Sequence, residues 1–174
     1  MAYNYRDIPQ IVREILAAKA EDGGVKNVYF VGCGGPLGAL YPAKVFVERE
    51  SLGLKTGWIT SNEFVHSTPK DFGKNSVLCV ACHAGNTPET VAAAKLGKES
   101  GAAVVLLTYQ EESEIAAFAD YLLLYSFDSS SSAHTGDMDY AGEKTQCALQ
   151  LAVELVTDTE GYAHYDAFYQ AVVR

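Results

Sequence analysis

Nothing in this chain stays apolar for the roughly 20 residues that a membrane-spanning helix needs, so none of its 174 residues reads as a membrane span. Residues 1–22 carry a polar-faced helical pattern with no signal-type apolar core, and a cytoplasmic protein is expected. Cysteine is sparse. The 4 present, Cys33, Cys79, Cys82 and Cys147, follow no disulfide-rich spacing and are expected as free thiols in a reducing compartment. Cys79 and Cys82 spell C-x-x-C, but an odd spacing on a strand sends the two side chains to opposite faces, which argues against a redox pair. Basic charge is also short: 13 Lys and Arg stand against 22 Asp and Glu, a formal net charge of −9. With no cationic stripe for a phosphate backbone, nucleic acid is not an expected partner. His83, His134 and His164, with Cys82 and Asp137, match no metal-ligand spacing, so no metal is expected; no organic cofactor is expected either. No internal repeat and no interdomain linker is visible, and residues 1–174 read as one domain, long enough to bury its own core.

What is present is an alternation. The chain is 48% hydrophobic and 20% charged, within the globular range. Ile8, Ile11, Val12, Ile15 and Leu16 recur at the helical period, and Gly23-Gly24 is a stop signal, so residues 7–21 read as a helix. Strands are expected at 28–31, 56–60, 76–81, 103–108 and 121–125, and helices at 37–52, 87–100, 113–118, 140–156 and 163–173. Residues 61–69 read as a loop, and residues 126–139, with the serine run 129–132, as a polar segment that is either flexible or ligand-covering. The strands at 77–81 and 102–107 are almost wholly apolar, the pattern of parallel strands covered on both faces. The expected fold is a three-layer αβα sandwich on a five-stranded parallel sheet of flavodoxin-like order 2-1-3-4-5.

Two loops of small residues are expected at the carboxyl edge of that sheet, where ligands bind in open parallel folds. Gly32-Cys33-Gly34-Gly35-Pro36 leaves the first predicted strand and Cys82-His83-Ala84-Gly85-Asn86-Thr87 leaves the third. Each leads into a helix N-terminus, where unpaired amides and the dipole favour an anion. The first loop alone resembles a dinucleotide fingerprint as much as a tight turn. A second glycine and hydroxyl loop is not something a dinucleotide site calls for, and the pair points to phosphate. Thr87 either donates to a phosphate oxygen or caps the helix that follows, a role open to Asn86 as well.

These residues resemble the SIS (sugar isomerase) domain family, which carries a Cys-Gly-x-Ser type turn after the first strand and a Ser-x-Ser-Gly-x-Thr loop after the third, both on the phosphate of a sugar phosphate. "ITSNEF", residues 59–64, is similar to the corresponding stretch of glucosamine-6-phosphate synthase. "GCGGPLGALYPAK" resembles the amino-terminal half of the fructosamine-phosphate deglycases, which have two such domains. The resemblance implies a sugar-phosphate substrate held by Gly34, Gly35, Cys82, His83, Ala84, Gly85, Asn86 and Thr87, and a homodimer or larger homo-oligomer. Three hydroxyls of the family pattern are replaced here by Pro36, Cys82 and Ala84.

For catalysis the resemblance implies Glu50 and His66, sixteen residues apart, as the pair that moves protons in aldose–ketose isomerisation or deglycation. At 1.5 Å per residue Glu50 lies on the order of 20 Å from its own loops, so it would act on a partner domain's ligand. The plainer readings are a solvated carboxylate at a helix end and an ordinary loop histidine. Two other functions stay open: a non-catalytic sugar-phosphate sensor or half-domain, and an NAD(P)-binding oxidoreductase.

Overall fold

The computed structural model describes residues 2–126 and 139–173. Its strands are β1 (Ala2–Tyr3), β2 (Asn27–Gly32), β3 (Lys55–Thr60), β4 (Ser76–Ala81), β5 (Ala103–Thr108) and β6 (Tyr121–Leu124). The helices are α1 (Ile8–Lys19), α2 (Gly34–Glu50), α3 (Ser61–His66), α4 (Pro88–Glu99), α5 (Asp139–Glu160) and α6 (Tyr165–Phe168), the last running on into a π-helical turn, Tyr169–Val173. A 3₁₀ helix, Glu114–Phe118, precedes β6.

All strand pairs are parallel, in the order β1-β6-β5-β4-β2-β3. Among the described residues, the expected five-stranded sheet of order 2-1-3-4-5 is thereby corrected to six strands. The added strand is β1, in which Ala2 and Tyr3 pair with Leu122 and Leu123. Two residues are too few for a period-2 pattern to be read, so only the edge offered by β6 reveals this strand. The segment 61–69 is corrected as well. It opens with α3, because Thr60 accepts a hydrogen bond from the Glu63 amide at 3.3 Å and so caps a short helix. Helix α2 starts three residues earlier than the apolar period indicated, since Pro36 in its first turn needs no intrahelical donor. The polar segment expected at 126–139 lies almost wholly outside the described residues.

Strand alternation builds two cores. On one face Val28, Phe30, Val77, Cys79, Val105 and Leu107 pack under α1, α2 and α5. On the other, Val31, Leu78, Val80, Val104 and Leu106 pack under α3 and α4. Each fully buried aliphatic or aromatic side chain contributes about 1.5–3 kcal/mol. Cys79 belongs to the first core and Cys82 to the second, and all four thiols are free. Helix α4 lies close to the sheet: a Cβ on Gly97 would stand 2.5 Å from Leu78 Cδ2. Among the described residues no helix is long and apolar enough to cross a membrane.

Candidate functional site

Strands β2 and β4 are hydrogen-bonded neighbours, with Gly32 opposite Ala81 at their carboxyl ends. The two small-residue loops therefore leave the sheet side by side. A chain of side chains ties them together and adds a third: Ser61 Oγ lies 2.9 Å from Thr90 Oγ1, and the Thr90 hydroxyl donates to Cys33 Sγ at 3.6 Å. Ser61 and Thr90 are buried, so the openings of α2, α3 and α4 are fixed relative to one another.

The two helix N-termini differ in what they offer an anion. Helix α4 begins with Pro88, which has no N–H, and carries Glu89 in its first turn, so its dipole is already met by a carboxylate. Helix α2 has no acidic residue in its first turn, and its N-cap residue Cys33 makes no side-chain capping bond. The amides of Gly34 and Gly35, both exposed, remain for a ligand. Thr87 occupies the N-cap position of α4 but its side chain makes no capping bond either. The capping role open to it in the sequence is thus not taken up.

A cavity of about 330 Å³ opens at the start of α2, lined by Gly35, Pro36, Gly38 and Ala39 from that helix, by His83 from the second loop, and by Lys144 and Thr145 from α5. Of the eight binding candidates, Gly35 and His83 meet in this cavity. Gly34 is in the adjoining turn. Cys82 and Gly85 are buried, the thiol in the core below the sheet and Gly85 under Ser113. Asn86 is exposed, and Ala84 and Thr87 are partly so.

His83 is held on several sides. Its carbonyl accepts from Thr108 Oγ1 at 2.9 Å, its Nδ1 is 2.7 Å from the Tyr125 hydroxyl, and its ring centroid is 4.5 Å from that of Tyr109. Lys144 Nζ lies 5.1 Å from the Tyr125 ring centroid. Burial, and then the neighbouring Lys144 charge, hold His83 below the ordinary histidine pKa of 6.5. Burial likewise lowers Lys144 from 10.5. Sequence spacing could not find Tyr109, Tyr125 and Lys144, because they come from the end of β5, from beyond β6 and from α5. Among the described residues no group of three or more His, Cys, Asp or Glu side chains stands together.

The structure does not bring Glu50 and His66 together within one chain. Glu50, exposed, ends α2, and 16 steps of 1.5 Å place it about 24 Å from Gly34. His66, also exposed, ends α3, the short helix that follows the carboxyl end of β3. There it borders a groove of about 410 Å³ with Asn62, Val65, Pro88, Glu89 and Ala92.

Along its whole length the chain superposes on the crystal structure of a candidate phosphosugar isomerase from Salmonella typhimurium LT2, with a TM-score of 0.88 and 40% identity, covering 50% of that protein. The chain has the SIS fold. It is similar to fructosamine deglycase FrlB of Bacillus subtilis, 35% identical over 120 residues, which span 68% of this chain and 37% of that enzyme. It is also similar to fructoselysine 6-phosphate deglycase of Escherichia coli K12, 31% identical over 104 residues, 60% of this chain and 30% of that enzyme. No protein-family model matches the chain. The chain thus spans half or less of the length of these relatives.

Proposed function

We propose that this SIS-fold domain binds a phosphorylated sugar, or its amine adduct, at the start of α2, and that paired domains isomerise or deglycate it. The observation that carries the reading is the 330 Å³ cavity, where a helix N-terminus free of acidic residues faces His83 and a buried lysine. In this reading the phosphate sits against the Gly34 and Gly35 amides, with Gly85, Asn86 and Thr87 shaping the adjacent turn. The relatives named as deglycases of fructosamine and fructoselysine 6-phosphate support the substrate class.

The chemistry needs one group to take the proton from the carbon beside the carbonyl or imine, its electron pair moving toward the neighbouring oxygen or nitrogen as an enediol or enamine forms. A second group returns a proton. Glu50 and His66 fill these roles across an interface. Glu50 is about 24 Å from its own loops, while Tyr41 on the same helix and Leu52 just beyond it are 50% and 101% exposed, apolar surface suited to a second domain. The distance also supports a second reading, a half-domain that binds sugar phosphate without turnover unless partnered. A dinucleotide oxidoreductase is not favoured by any relative.

Thermal unfolding with fructose 6-phosphate, glucosamine 6-phosphate or NADPH tests the reading. At 100 times its dissociation constant a ligand stabilises by about 2.7 kcal/mol. The sugar phosphates raise Tm, and Gly35→Asp, which puts a carboxylate at the helix end, removes that rise. Stabilisation by NADPH alone would overturn the proposal.

A further inference from the structure

Three hydroxyls of the family pattern are missing at positions 36, 82 and 84, where this chain has Pro, Cys and Ala. Pro36 also removes an amide from the first turn of α2. The anion site is therefore poorer in donors than the fold allows, in a chain whose formal net charge of −9 repels anions at long range. Some other group has to supply the attraction.

Two basic side chains line the cavity at the start of α2, His83 and Lys144. Burial and then the adjacent ammonium disfavour the charged form of His83, and its Nδ1 lies 2.7 Å from the Tyr125 hydroxyl. Lys144 is the stronger base of the two. It comes from α5, reaches across the face of Tyr125, and is only 3% exposed although it borders an open cavity. An ammonium removed from water is costly to keep charged, and an anion in the cavity adds to whatever already offsets that cost. A lysine also suits this role as a point charge beside amide donors, as in phosphate loops.

We propose that Lys144 is the counter-charge of the phosphate site, binding the phosphate monoester of the substrate together with the first-turn amides of α2. The inference rests on the phosphosugar function proposed above and adds a residue from the far end of the chain. Lys144 replaces, with a single full charge, the hydroxyls absent from the two loops.

Calorimetric titration of the 174-residue chain with fructose 6-phosphate and with inorganic phosphate tests it. Lys144→Met binds both at least tenfold more weakly than the unaltered protein, while Lys144→Arg retains part of the affinity. If Lys144→Met binds within twofold of the unaltered protein while Gly35→Asp abolishes binding, Lys144 is excluded and the phosphosugar reading stands. If the unaltered chain binds neither ligand, both fall. Should Lys144→Met fail to fold, the Lys144 Cε resonance of the unaltered protein, labelled with carbon-13 lysine, gives the answer. Saturating phosphate shifts it and raises its titration midpoint, and a resonance that does not move overturns the proposal.

Discussion

Gly85 has φ of +73°, and a Cβ built on it would stand 2.3 Å from Ser113 Cβ and 2.4 Å from its Oγ. The carbonyl of Gly85 accepts from the Ile115 amide at 3.1 Å, so the second loop is pinned to the 3₁₀ helix behind it. Gly85→Ala combines a left-handed backbone, costing about 1–2 kcal/mol, with an overlap that only a shift of Ser113 relieves. The expected loss is about 2–4 kcal/mol, read as a lowered midpoint in urea unfolding, with sugar-phosphate binding weakened as the loop moves. Gly85→Ala, Ser113→Gly recovers most of the overlap cost and leaves the backbone cost. At this scale the sequence was informative where residue type and backbone need coincide. It placed Gly85 in the second small-residue loop, but the contact with Ser113, twenty-eight residues on, depends on how the 3₁₀ helix folds back.

Helices α2 and α5 lie side by side, and the end of α5 holds the end of α2. Glu160 accepts from the Ser51 hydroxyl, from the Leu52 amide at 2.8 Å and from the Gly53 amide at 3.1 Å. These bonds fix the corner that follows Glu50. Burial acts to raise the Glu160 pKa, but the bonds from Ser51, Leu52 and Gly53 prevail and hold it below the ordinary 4.5. A carboxyl depressed on folding contributes stability that is complete above its unfolded value and disappears as pH falls through the folded one. Tm is therefore expected to fall between pH 5 and 3 more steeply for the unaltered protein than for Glu160→Gln, and the two curves converge at low pH. Parallel curves would show that this corner is not held by the carboxylate. Such a clamp is invisible to periodicity, because its halves are over a hundred residues apart and only helix packing unites them.

For the whole molecule, the decisive quantity is the distance between Glu50 and the loops of its own chain. If sites form between two domains, Glu50→Gln and Gly35→Asp are each inactive alone but complement each other. In a two-fold pair one intact site forms per mixed dimer, so random mixing restores about a quarter of full activity. No recovery on mixing, in samples whose mass in sedimentation corresponds to dimers, would mean that Glu50 is a solvated helix end. Mixing two Glu50→Gln preparations serves as the blank.

The sequence by itself determined the alternation of strands and helices, the two-sided burial of the central strands and the edge at which both small-residue loops lie, because each follows from local periodicity and from the handedness of parallel crossovers. It also placed Cys79 and Cys82 on opposite faces, since strand geometry alone fixes that. Tertiary structure decided the sixth strand, the wall of His83, Tyr109, Tyr125 and Lys144, and the separation of Glu50 from His66. Each of these depends on which distant segments the packed core makes neighbours, and no local pattern in a chain encodes such a meeting.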